Sequence, residues 1–183
     1  RAYVMDEGRG IPFKKNADGK WAIIEMCTNM HSGGKFTGQG NYKSSLGLNG
    51  VGATVTNALS VEFDITVWRD GEQCTFSVWE GDYDDPTIEP YKGKEQGSQV
   101  SFIPDPEVFN GLKWDVNLIK DELQLHALLN NGITFEVNEF EHGKKLNTWS
   151  YCYSNGLKDM LKIKTAGLNM LTDPVHFKTN VVN

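Results

Sequence analysis

The chain has 183 residues, 39% of them hydrophobic and 23% charged, the make-up of one globular domain with a substantial core. No apolar run approaches the ~20 residues of a membrane span and no signal-peptide pattern is visible. The net charge of −6 makes this stretch a poor DNA-binding surface by itself, so any DNA has to be gripped by other domains.

Residues 3 to 12 read Tyr-Val-Met-Asp-Glu-Gly-Arg-Gly-Ile-Pro. A short apolar strand carries Asp6 to its end, and Gly8 and Gly10 turn the chain sharply. An ionised aspartate only accepts hydrogen bonds, which suits an adenine amino group. Standing alone, the same residues read better as an ordinary Asp-Gly turn. Residues 13 to 19 form a polar loop turning at Ala17-Asp18-Gly19. Trp21, Ile24, Thr28 and His31 recur at helical spacing over about 20–31, where His31 is a C-terminal cap rather than a catalytic group.

The stretch from His31 to Ser60 organises the rest. It opens with Gly33-Gly34-Lys35, crosses a polar glycine-rich run, and reaches the turn Gly47-Leu48-Asn49-Gly50-Val51-Gly52 before an apolar helix over about 50–59. Glycines let backbone N–H groups approach a ligand without a Cβ in the way. A helix opening there aims its unpaired N–H groups at the turn, an arrangement that favours phosphate. The P-loop spacing is missing, and Val55 stands where a dinucleotide fingerprint needs its third glycine. Read alone, the run is as well explained by a glycine-rich surface loop capping a helix.

Alternating segments follow at 61–68 and 73–79, and Asp70-Gly71 between them signals a hairpin. Glu80 to Asp85 is a solvated acidic loop, since no calcium-loop frame fits it. Gly97 to Ile103 is a further strand, ended by Pro104-Asp105-Pro106. A long helix over 115–130 places Val116, Ile119, Leu123 and Ala127 on one face and closes at Asn131-Gly132. His126 on that helix has no metal-spaced partner and is structural. Strands at 133–140 and 146–151 and a short helix near 155–161 complete the pattern, and the last twenty residues are expected to reach outward. Interspersed helices and antiparallel hairpins indicate a two-layer α/β sandwich. Cys27, Cys74 and Cys152 lie far apart with no C-x-x-C pair, the pattern of a reduced, cytosolic protein without structural zinc.

Together, D-x-G-R-G-I-P and the block from Gly33-Gly34-Lys35-Phe36 through Gly50-Val51-Gly52 to Ser60 resemble the ATPase region of type IIA DNA topoisomerases, of the gyrase B and topoisomerase II class. The resemblance continues in Gly97-Ser98-Gln99-Val100-Ser101-Phe102 and in Gly156-Leu157-Lys158, so it spans most of the chain. Asn49 stands where gyrase-type proteins usually carry His and Leu46 where a glycine is usual. The asparagine is more like eukaryotic and T-even-phage topoisomerase II, and the end of the strand at Phe102-Ile103-Pro104-Asp105 also resembles the phage type, which favours a phage-type large subunit.

The resemblance implies a Bergerat-type α+β fold: a mixed, mostly antiparallel sheet with helices on one face, in a single ATP-binding core over residues 1–183. It implies ATP and Mg²⁺ as cofactors. In that role Asp6 accepts the adenine amino group, Gly8, Arg9, Gly10, Ile11 and Pro12 shape the adenine pocket, and Ser98 helps hold the base through its hydroxyl. Gly47, Leu48, Asn49, Gly50, Val51 and Gly52 wrap the phosphates, and Lys35 adds a point charge. Arg69 falls near the pocket's edge. No catalytic residue is assigned, because the glutamate that activates water and the asparagine that holds magnesium belong to a helix upstream of residue 1, and Glu7 and Glu25 are declined as substitutes. The transducer domain would follow after about residue 165. Implied partners are DNA through other domains, a second topoisomerase subunit and a homodimer partner in the whole enzyme; the implied location is the cytoplasm, or the host cytoplasm for a phage protein. Two other readings compete: another ATPase or kinase domain on this fold, and a module that binds nucleotide without turnover.

Overall fold

The computed structural model describes residues 1–30, 50–169, 171, 172 and 175. These divide into two compact units, Arg1–Leu112 and Lys113–Asn183. Each mixes helices with antiparallel strands.

The first unit contains β1 (Ala2–Asp6), α1 (Ala22–Thr28), α2 (Gly52–Ala58), β2 (Ser60–Arg69), β3 (Glu72–Trp79), β4 (Asp82–Tyr83), β5 (Thr87–Pro90) and β6 (Gly97–Pro104). Its sheet has the order β1-β6-β2-β3-β4, with β5 also on β3, and every strand pairing in it is antiparallel. Asp70 and Gly71 both take positive φ, 55° and 76°, as a two-residue hairpin turn requires, so Trp68 faces Gln73 and Ile65 faces Phe76 in register.

Strand alternation builds the core. Phe63, Ile65 and Val67 of β2 and Cys74, Phe76 and Val78 of β3 point to one face and meet Ile23 and Cys27 of α1, with Phe13 sealing the cluster. Burying a side chain such as Phe13 stabilises the fold by roughly 1.5–3 kcal/mol. The Cys27 thiol is pushed up to about 12 by burial alone, which marks it as a packing residue. On the opposite face, Arg1 pairs with Glu62 and Asp64 and donates to Ser101.

The helix expected over 20–31 is seven residues long, Ala22–Thr28, and breaks at extended Asn29. The acidic stretch from Glu80 is exposed as expected, but its backbone is more ordered than a loop. Glu80 and Gly81 take φ of 49° and 89° and turn the chain so that Asp82 and Tyr83 pair with Trp79 and Val78. Strand β5 carries little signal because Pro86 precedes it and Pro90 ends it; proline is tolerated there at a sheet edge.

The second unit holds α3 (Val116–Leu129), the hairpin β7 (Phe135–Glu141) and β8 (Lys144–Tyr151), and α4 (Leu157–Thr165). Asp115 caps α3 by accepting from the amides of Asn117 and Leu118 at 3.0 and 3.1 Å. Gly132, with φ 80°, follows the helix as the Asn131-Gly132 pair indicated. The face carrying Val116, Ile119, Leu123 and Ala127 is the more buried one. His126 stacks on Phe135 at 6.2 Å between centroids, a packing contact.

Candidate functional site

Asp6 ends β1, and the strand register explains what surrounds it. Asp6 lies opposite Ser98, Ser98 opposite Val67, Val67 opposite Cys74 and Cys74 opposite Ile88. A single row thus crosses the helix-side face, apolar and buried at Val67 and Cys74 and ending in a carboxylate at the sheet's edge. In the neighbouring row Val4 faces Val100, and Val4 is 64% exposed although Val100 packs against the core. An open apolar strip ending in an acceptor is the surface that a planar base with an amino group fits.

The turn after Asp6 is held from several sides. The Gly8 amide donates to Asp6 Oδ1 at 2.8 Å; among the described residues Oδ2 has no partner. The Ile11 amide donates to Ser98 Oγ at 3.0 Å, so the buried Ser98 hydroxyl keeps its own proton to donate elsewhere. Arg69 Nη1 donates to the Gly10 carbonyl at 3.0 Å and Gln96 Nε2 to the Gly8 carbonyl at 3.2 Å.

Glycine is demanded by contact at Gly10, and at Gly8 it leaves the Asp6 carboxylate undisturbed. A Cβ on Gly8 would sit 2.6 Å from Asp6 Oδ1, and one on Gly10, whose φ is +75°, would meet Val67, Arg69 and Gly97 at 3.0–3.1 Å. Pro12 is exposed, but the next residue, Phe13, plugs into the core and anchors the far end of the turn. Arg9 is exposed on the turn.

Gly50, Val51 and Gly52 form a second group. Gly50 has φ 60°, and the Val55 amide closes the first turn of α2 on the Val51 carbonyl at 2.9 Å. This helix is seated on α1 by side chains. Buried Thr54 donates to the carbonyls of Met26 and Asn29, both at 3.2 Å, and Asn57 Nδ2 to that of Cys27 at 3.1 Å. They satisfy carbonyls that the end of α1 leaves without helical partners. His31, Lys35, Leu46, Gly47, Leu48 and Asn49 lie outside the described residues.

Glu25 accepts from Asn16 Nδ2 at 2.9 Å and pairs with Lys20 at 3.4 Å. Among the described residues no group of three His, Cys, Asp or Glu side chains could hold a metal ion, and no helix is long and apolar enough to cross a membrane. Sequence reading placed Asp6, Gly8, Gly10, Ile11 and Ser98, which the structure brings together. It missed Gln96, whose only signal is its place immediately before Gly97-Ser98, and it gave Arg69 no contact with the turn.

No family model matches the chain. Related proteins are nonetheless evident. The chain is 34% identical over 182 residues to the chloroplastic/mitochondrial gyrase B protein of Oryza sativa, covering 96% of this chain and 25% of the relative. It is 40% identical over 146 residues to the gyrase B protein of Thermus thermophilus, covering 78% and 23%. To the B-type subunit of DNA topoisomerase 4 from Staphylococcus epidermidis it is 34% identical over 176 residues, covering 95% and 26%. The chain therefore spans about a quarter of these relatives' lengths. Its structure matches the 43K ATPase domain of Thermus thermophilus gyrase B, crystallised in complex with an aminocoumarin, with a TM-score of 0.75 at 28% identity, covering 93% of this chain and 42% of the other. With these likenesses extending over nearly its whole length, the chain is related to a part of the B-type subunits of DNA gyrase and topoisomerase IV and has the fold of the gyrase B ATPase domain.

Proposed function

We propose that this chain is the ATP-binding core of an ATP-dependent type II DNA topoisomerase, and that its two units work as one nucleotide-binding domain. The observation that carries the reading is the Asp6 carboxylate. One oxygen is fixed by the Gly8 amide, the other is open among the described residues, and an apolar strip lies beside it. Adenine fits this surface: its amino group donates to Asp6 Oδ2 and its face lies along Val4 and Val100. The Ser98 hydroxyl supplies a donor to the base or to a water bound beside it.

In this reading Gly8, Arg9, Gly10, Ile11 and Pro12 form the rim of the base pocket. The turn from Gly47 through Leu48, Asn49, Gly50 and Val51 to Gly52 holds the phosphates, with Lys35 as a further charge. Mg²⁺ arrives with the triphosphate and offsets its charge. ATP binding then drives closure of a dimer gate for DNA strand passage, with DNA, the second type of subunit and the homodimer partner engaged through other parts of the whole protein in the cytoplasm.

The direct test is calorimetric titration of the chain with a non-hydrolysable ATP analogue and Mg²⁺. One saturable site per chain, competed by ATP and not by a pyrimidine triphosphate, is the expected result. Binding that does not distinguish adenine from a pyrimidine would overturn the assignment of Asp6.

A further inference from the structure

We propose that Gln96 is a positioning residue for base recognition, acting on Asp6 through the Gly8 residue between them; this rests on the ATP reading above. The geometry is a two-step relay. Gln96 donates from Nε2 to the Gly8 carbonyl at 3.2 Å, and the Gly8 amide donates to Asp6 Oδ1 at 2.8 Å. Because the Gly8 carbonyl can only accept, the Gln96 atom beside it has to be the nitrogen.

The relay matters because Gly8 and Gly10 have little conformational preference of their own. Nothing in local backbone sterics holds the Gly8 amide on the carboxylate. The turn's shape comes from outside it: Ser98 takes the Ile11 amide, Arg69 takes the Gly10 carbonyl, and Gln96 takes the Gly8 carbonyl. Of these three grips only the last acts on the residue that touches Asp6. Stiffening the turn with a side chain at Gly8 would push the Asp6 carboxylate off its orientation, since a Cβ there would sit 2.6 Å from its oxygen. A long donor leading into the neighbouring strand avoids that, and Gln96, exposed and immediately before β6, supplies it.

The consequence is a change in base specificity rather than in stability. Without the grip the Gly8 amide swings away and Asp6 loses its fixed orientation toward an amino group. Gln96→Ala should therefore reduce the preference for ATP over ITP, which carries a carbonyl where ATP carries the amino group, by about three- to tenfold, the range expected for one neutral hydrogen bond. Binding of both nucleotides is measured by calorimetry with Mg²⁺, and the thermal midpoint is recorded alongside. Gln96→Glu, which cannot donate, should match the alanine variant. Gln96→Lys, which restores a long donor, should recover the preference. A purely structural role would lower both affinities together and leave their ratio alone. An unchanged ratio in Gln96→Ala, beside a wild-type chain that prefers ATP, would overturn the role of Gln96 while leaving the ATP reading intact. A wild-type chain with no preference for ATP would overturn both.

Discussion

Asp6→Asn is expected to weaken ATP binding about ten- to a hundredfold while the chain keeps its fold. The carboxylate has two acceptor oxygens, and the structure commits Oδ1 to the Gly8 amide at 2.8 Å. An asparagine has one acceptor and one donor group. If its oxygen stays on the Gly8 amide, its NH₂ faces the adenine amino group, donor against donor. If it flips, the NH₂ faces the Gly8 amide instead and the turn opens. Either way one hydrogen bond to a charged group is lost, worth roughly 1.5–3 kcal/mol, which converts to the stated loss of affinity. The fold should hold because Asp6 is exposed at a strand end and outside the core cluster. Calorimetry with an ATP analogue measures the first effect and thermal melting the second. Unaltered affinity would remove Asp6 from the site.

Gly97→Ala should be the most damaging single methyl group in the first unit. Gly97 has φ +122°, and a Cβ there would lie 1.9 Å from the backbone carbonyl oxygen of Asp6 and 3.0 Å from Glu7 Cα. Because the obstacle is backbone, no side-chain rotation relieves it, and β1 has to move off β6 at the Asp6–Ser98 pair. Gly71→Ala is the control, since its φ of +76° imposes backbone strain but nothing lies within 4 Å of a Cβ there. Backbone strain of this kind costs about 1–2 kcal/mol, and overpacking adds roughly 1–3 kcal/mol at Gly97 alone. The melting temperature of Gly97→Ala should thus fall by on the order of 10 °C, clearly further than that of Gly71→Ala. Equal shifts in the two variants would show that the strand junction yields freely. ATP affinity should fall with Gly97→Ala as well, because the strand end it displaces carries Asp6.

Elements with local signals were legible in the sequence. Alternation with Asp70-Gly71 defines the β2–β3 hairpin, and the apolar spacing of Val116, Ile119, Leu123 and Ala127 defines α3. Strand β5 was not legible, because four residues ending in proline become a strand only when β3 offers an edge. The same division runs through the site. Asp6, Gly8 and Gly10 are neighbours in sequence, so the motif they form reads locally, although the contacts that hold position 10 to glycine come from Val67, Arg69 and Gly97. Arg69 and Gln96 reach the turn from 59 and 88 residues away, and no periodicity reports contacts of that span. Thr54 and Asn57 likewise read as ordinary helix residues until α1 presents its last carbonyls to them.

The central claim is that ATP sits on the Asp6 turn, and amide-resolved NMR of the isotopically labelled chain, titrated with a non-hydrolysable ATP analogue and Mg²⁺, tests it most directly. The largest shifts are expected at the amides of Gly8, Gly10, Ile11 and Ser98, with Gly71 and the β7–β8 hairpin unmoved. Saturable binding that leaves those four amides in place and shifts others would contradict it.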